Sequence, residues 1–336
     1  MTITRHDVLR MMLAGTAFFP GAAFAQSAAS ETANGMLAPW SGATEIGPKP
    51  LTFTVVGDNT ALARPGVFDQ TMTQVSWLQP DFVMSIGDVI EGYAEDAETV
   101  ARRWMEAEQS IAKLGCPFLV CGGNHDLSNP VYAEAWTQRF GRPWRSFEYK
   151  NALFLILCTE DPVIPLTSKA SATFNAMVDL VATDFDRAQQ ELGAFLALPE
   201  IVASRDLTNQ VNISDEQVGW AVDTLAQNRD AQWTFVFLHK PAWKSEDRQF
   251  MKIQAALGDR PHTVFGGHTH YATHEVIAGR DYVNLGTSGG IRTRPGPGNL
   301  DHVINVTLTT KGPVYANLRL TGLLDLAGQS GQTLAY

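Results

Sequence analysis

Five short stretches of the sequence place an acid, an amide or an imidazole where an apolar run ends. VVGDNT holds Asp58, SIGDVIEG holds Asp88, VCGGNHD holds Asn124, His125 and Asp126, VFLHKP holds His239, and FGGHTH holds His268 and His270. Gathering several acids in a core is strongly unfavourable unless cations offset them. If the five runs are strands of an α/β fold, their C-terminal ends face one crevice, where Asp58, Asp88, Asn124, His125, His239, His268 and His270 converge. Carboxylate, amide and imidazole without thiolate suit Mn, Fe or Zn better than Cu(I) or an iron–sulfur cluster. A carboxylate such as Asp88 can bridge two ions about 3.5–4 Å apart, and the number of candidate ligands favours two transition ions, divalent or trivalent, over one. Taken singly, Asp58 and Asp88 could be helix N-caps and His239 an ordinary buried histidine. Five such sites in one chain favour a metal centre.

The elements that must position these residues can be read from the spacing of apolar positions. Leu51–Val56, Phe82–Ile86 and Phe118–Cys121 are short, β-rich and bounded by Gly or Pro, while residues 67–78 and 97–114 carry helical periodicity, giving a β-α-β-α-β opening. Phe147–Thr159 reads as a hairpin turning at Lys150-Asn151, and Ser214 as the N-cap of a helix running to about Gln227. Gln232–Leu238 and His262–Phe265 read as buried strands, and residues 275–285, 303–308 and 314–320 as an antiparallel finish. In residues 161–212, Phe174, Met177, Val178, Val181, Phe185, Leu192 and Phe195 recur at helical spacing without a catalytic-looking cluster, which predicts a helical insertion and a possible cap over the site.

The five motifs, in this order behind strand-like runs, resemble those of the calcineurin-like metallophosphoesterases. The resemblance runs over nearly all of Leu51 to Leu320 and implies a four-layer αββα sandwich of two mixed sheets. It further implies that Asp88 bridges two ions, with Asp58 and His270 on the first and Asn124, His239 and His268 on the second. His125 then stands off the metals, facing the leaving-group oxygen, with Asp126 as its orienting partner. A non-ligand imidazole beside a cationic centre is suited to stabilise or protonate a departing alkoxide. The expected activity is hydrolysis of a small-molecule phosphate ester, monoester or diester, by a metal-bound hydroxide.

One position departs from that family. Its first motif usually reads Asp-x-His, and here the third residue is Thr60. The first metal position is then weaker, takes water, or recruits Glu91 or Asn59. Purple acid phosphatases also lack this histidine but supply a tyrosine in the second motif, where this chain has Glu91 and Tyr93 lies two residues away. A catalytically impaired protein that keeps the fold as a binding module is the alternative. Arg292 and Arg294, after GTSGG, are candidates for a substrate phosphate, against a loop that simply carries two solvated arginines.

Composition bounds the rest. With 336 residues, 45% of them hydrophobic, the chain has material for one large globular domain, expected over residues 51–322, between an extension at 26–50 and a tail at 323–336. A formal net charge of -10 disfavours nucleic acid as a stable partner. Residues 1–25 read as an export signal, with Arg5 and Arg10 before the apolar run Met11–Phe19 and Ala23-Phe24-Ala25 as cleavage site. Thr4–Arg10 looks like a degraded twin-arginine signal, so a periplasmic or secreted protein is expected, with no integral membrane segment after processing. Cys116, Cys121 and Cys158 cannot all pair within one chain, and the last two read as core. No cofactor beyond metal is expected, because no glycine-rich nucleotide loop follows the first strand.

Overall fold

The computed structural model describes residues 2–3, 49–199, 201–202, 209–327 and 329. Apart from Thr2–Ile3, the expected signal lies outside them, as do most of the 26–50 extension and much of the 323–336 tail. Two mixed sheets form the centre. The first has five strands in the order β12-β11-β2-β3-β4: β2 Leu51–Val56, β3 Phe82–Ser85, β4 Phe118–Val120, β11 His302–Thr309 and β12 Gly312–Arg319. The second has seven, in the order β1-β5-β6-β7-β8-β10-β9: β1 Thr2–Ile3, β5 Arg145–Tyr149, β6 Ala152–Ile156, β7 Trp233–Phe237, β8 His262–Gly266, β9 Thr273–Ile277 and β10 Arg280–Asn284.

Strand residues alternate between two apolar environments, so both faces of each sheet are covered. On β6, Phe154 and Ile156 face the other sheet, where they meet Phe53, Phe82, Phe235, Phe237 and Phe265 in one inter-sheet core. Leu153 and Leu155 point the opposite way, against α6 Asp215–Gln227 and α7 Arg248–Leu257. The outer face of the first sheet, through Val56, Val83 and Val120, packs on α1 Val67–Leu78, α2 Ala97–Ile111 and α3 Pro130–Phe140. The result is helix, sheet, sheet, helix, as expected.

The hairpin turns at Lys150 and Asn151, both with positive φ (45° and 63°), the conformation of a tight two-residue turn. Ser214 caps α6 by accepting from Gln217 N. Residues 161–212 contain α4 Ser168–Leu180 and α5 Phe185–Leu196, whose Phe174, Met177, Leu192 and Phe195 pack with Leu62 and Tyr93. Cys121 and Cys158 are buried free thiols. Among the described residues no helix is long and apolar enough to cross a membrane.

Parallel pairing decides where the site lies. β2, β3 and β4 run parallel in the first sheet, and β6, β7 and β8 in the second. The C-terminal ends of β2, β3, β4, β7 and β8 therefore deliver all five motifs to one end of the inter-sheet core.

Candidate metal centre

Local backbone geometry aims the ligands. Asp88, His268 and His270 all have left-handed φ, of 57°, 67° and 51°, a region non-glycine residues adopt rarely and then often at functional sites. Gly87 precedes Asp88 at φ 104°, and a Cβ on Gly123 would lie 2.2 Å from Asp88 Oδ1. The glycines of the second and third motifs are thus required by the approach of strand ends around one carboxylate.

Asp88 is the hub. Its Oδ2 lies 3.3 Å from His239 Nε2 and accepts from Thr60 Oγ1 at 3.1 Å, while its Oδ1 accepts from His125 N at 2.9 Å. His239 Nδ1 donates to Ile86 O at 3.0 Å, so in the neutral ring Nε2 carries a lone pair. That lone pair faces Asn124 Oδ1 at 3.0 Å as well as Asp88 Oδ2. Three acceptors crowded together repel one another unless a cation, either a metal or the proton of an imidazolium, sits among them. Asn124 is itself oriented, since its Nδ2 donates to Tyr93 Oη at 2.9 Å and leaves Oδ1 toward His239.

Two overlapping groups have ligand atoms within 4.8 Å of one another: Asp88, His239 and His268, and Asp58, Asp88 and His270. Asp88 belongs to both. His270 Nδ1 donates to Ile291 O at 2.6 Å, and its Nε2 lies 3.8 Å from Asp58 Oδ1. Asp58 is fully buried and accepts from His268 N at 3.1 Å. All six expected ligands are thereby gathered, and their donor set fits two transition ions.

The charges are strongly interdependent. Burial opposes ionisation of Asp88, but the imidazoles of His239 and His125 outweigh it and hold the carboxyl far below its usual range. For Asp58 burial prevails over His270 and His239 and raises the pKa. Burial disfavours charge on His239, yet Asp88 raises its pKa to about 9. Burial, with His239 and Lys240 nearby, lowers His268 well below its ordinary value.

His125 lies at the edge of the centre, its Nε2 4.0 Å from Asp88 Oδ2. Gly92 N donates to His125 Nδ1 at 3.1 Å, which puts the ring proton on Nε2. Glu91 Oε2 is 3.5 Å from Nδ1, and Tyr93 and Phe174 meet the ring edge to face, with centroids 5.0 and 5.6 Å away. Burial disfavours the imidazolium, but Asp88 and Glu91 outweigh it and raise the pKa.

Several expectations need correction. Asp126 makes no hydrogen bond to His125 among those described: its Oδ2 accepts from Asp88 N at 2.6 Å and Gly123 N at 3.0 Å, and its Oδ1 from Val89 N at 2.9 Å and Ile90 N at 3.2 Å. It shapes the Asp88 loop, and the contacts expected of it fall to Gly92 and Glu91. Glu91 does not replace the missing histidine, because its carboxylate accepts from Ala61 N at 3.1 Å and Ala63 N at 2.8 Å. Asn59 Nδ2 donates to Val89 O at 3.2 Å, and its Oδ1 packs against Gly289, where a Cβ would lie 2.2 Å from it. Arg292 pairs with Asp301 at 2.5 Å, and Arg294 lies over the Tyr271 ring at 4.0 Å, so both arginines have partners within the chain.

Sequence reasoning passed over the buried Arg103, which donates to Glu91 O at 3.1 Å, Gly92 O at 2.9 Å and Tyr132 Oη at 2.8 Å. It also donates to Asn175 Oδ1 of α4 at 2.7 Å, tying the loop of Glu91 and Gly92, which lies against His125, to α4. Its only sequence signal is a cation on the apolar face of α2, beside Val100, Trp104 and Ala107.

The fold and the cluster define a two-sheet protein with a dinuclear-type ligand set. The chain belongs to the calcineurin-like phosphoesterase family, whose model matches residues 51–272. Similar solved structures include a dimetal phosphatase from Danio rerio, at 13% identity and TM-score 0.54, covering 81% of this chain and 99% of that one. The structure of PhoD is similar at 11% identity and TM-score 0.51, covering 82% of this chain and 70% of that one. A purple acid phosphatase from yellow lupin (Lupinus luteus) seeds has 14% identity and TM-score 0.50, covering 76% of this chain and 49% of its own length. No curated protein sequence matches the chain.

Proposed function

We propose that this protein hydrolyses a small-molecule phosphate ester at a dinuclear centre. Asp58, Asp88 and His270 would hold one transition ion, and Asp88, Asn124, His239 and His268 the other. When bound, two such ions supply Lewis acidity at phosphorus and a more acidic water. The observation that carries the reading is that two groups of potential ligand atoms, Asp58 with Asp88 and His270, and Asp88 with His239 and His268, each lie within 4.8 Å of one another and share Asp88.

The protein's own groups have separate tasks. Asp126 fixes the loop that presents Asp88, and Tyr93 turns Asn124 so that its oxygen faces His239. Gly92 N–H holds the His125 proton on Nε2, where it can hydrogen-bond the departing oxygen and stabilise the charge that develops there. The aromatic edges of Tyr93 and Phe174 keep that imidazole out of bulk water.

A metallated binding module without catalysis is the second reading, favoured by the Thr60 hydroxyl, which bonds Asp88 where the family usually has an imidazole. Incubation with a phosphate monoester, a bis-substituted diester and a cyclic nucleotide, each with Mn, Fe or Zn, separates the two. Phosphoester cleavage with any pair supports hydrolysis, and a fully metallated protein inert toward all three supports the module. Export is also proposed, from the Arg5 to Ala25 pattern. N-terminal sequencing of the mature protein is expected to begin at Gln26, and an intact Met1 would contradict it.

A further inference from the structure

The three ligand imidazoles are supported differently. The nitrogen of His239 that points away from the cluster donates to Ile86 O, and that of His270 to Ile291 O, both backbone carbonyls of the main domain. His268 has its Nε2 3.1 Å from a side-chain oxygen, Oδ1 of Asn209. Asn209 belongs to the helical insertion, near the point where that segment returns to the domain.

The return segment is firmly tied. Asn212 N donates to Thr159 O at 2.9 Å, and Asp161 N to Asn212 O at 3.0 Å. The buried Lys240, next in sequence to His239, donates to Gln210 O at 2.9 Å while pairing with Glu160 Oε2 at 2.8 Å. Asn209 is thus held one residue from an anchored carbonyl, although its own side chain is exposed. An amide oxygen only accepts, so this contact assigns the ring proton of His268 to Nε2 and leaves the lone pair on Nδ1.

We propose that Asn209 is a positioning residue of the metal centre: by accepting from His268 Nε2–H it sets the tautomer and orientation in which His268 presents Nδ1 to the ion shared with Asp88 and His239. The insertion, in addition to packing on His125 through Phe174, then completes the support of one metal position. The inference rests on the dinuclear reading above. Removing partners of this kind typically weakens metal affinity by about 10–100-fold.

The test uses the full chain, stripped of metal with a chelator and titrated calorimetrically with Mn²⁺, and with Co²⁺ while its visible absorption is followed. The wild type is expected to take up two ions. Asn209→Ala is expected to bind one of them about tenfold or more weakly, with an altered Co²⁺ spectrum and an unchanged melting temperature of the metal-free protein. Asn209→Asp, which keeps the accepting oxygen, is expected to restore affinity and spectrum. Wild-type affinity for both ions in Asn209→Ala overturns the proposal while leaving the dinuclear reading intact, and so does failure of Asn209→Asp to rescue. A wild type that binds no ion overturns both.

Discussion

Thr60 Oγ1 donates to Asp88 Oδ2 at 3.1 Å, the same oxygen that lies 3.3 Å from His239 Nε2. The residue that departs from the family pattern therefore faces the cluster and touches its shared carboxylate. A hydroxyl there steadies Asp88 but is a poorer metal ligand than an imidazole. Thr60→His is expected to slow metal loss from the position formed by Asp58, Asp88 and His270, measured as ions retained per chain after dialysis against chelator. Unchanged retention would show that position 60 does not bear on metal binding.

Loss of the His125 ring should be felt according to the leaving group. His125→Ala is expected to lower turnover of an alkyl phosphate ester by about 10²–10⁴-fold and that of a nitrophenyl ester much less, because a good leaving group needs little help. Equal losses on both substrates, measured as kcat, would contradict a role at the departing oxygen.

Asp126 accepts from four backbone amides, and burial with the Asp88 charge raises its pKa to about 7 against their effect. Asn at this position has one accepting oxygen and brings an NH₂ group toward N–H donors. Asp126→Asn is expected to destabilise the fold by about 2–4 kcal/mol in denaturant unfolding and to weaken metal binding through the displaced Asp88 loop. A variant with wild-type stability would mean that these bonds are not holding the loop.

In the metal-free protein the His239 pKa is raised from 6.5 to about 9, by Asp88 against the opposing effect of burial. A raised folded-state pKa means that the charged ring stabilises the fold fully below about pH 6.5, and that this contribution disappears as pH climbs through about 9. Metal must displace the Nε2 proton, so apparent affinity is expected to rise with pH up to about 9. Calorimetry near pH 7 in buffers of different ionisation enthalpy should show proton release on metal binding. Affinity independent of pH across this interval would exclude His239 as a ligand that must lose a proton.

Much of this architecture is legible in the sequence because strands covered on both faces are short runs rich in apolar and β-branched residues, and because each ligand sits where such a run stops. Leu51–Val56 followed by Asp58, and His262–Gly266 followed by His268, are the plainest cases. Two helices escaped notice although both have start signals: Asn129 caps α3 before Pro130, and Asp247 caps α7 by accepting from Phe250 N. Their apolar faces are interrupted by polar residues, so periodicity alone is weak there. The partners of Asp126 are not legible there, because neither the motif resemblance nor adjacency to His125 fixes side-chain direction in a tight loop. Arg103 and Asn209 were illegible for a different reason. Each acts through contacts with segments distant in the chain, Asn175 for one and His268 for the other.

The most direct measurement of the central claim is metal content set beside hydrolysis, for the wild type and for Asp88→Asn. Elemental analysis of the purified wild type is expected to give close to two transition ions per chain, with phosphoester cleavage lost on chelation and regained on reloading. Asp88→Asn, which weakens the ligand common to both groups, is expected to lose metal and cleavage together. A wild type that cleaves equally well when stripped of metal, or an Asp88→Asn variant that keeps both ions and full activity, would contradict it.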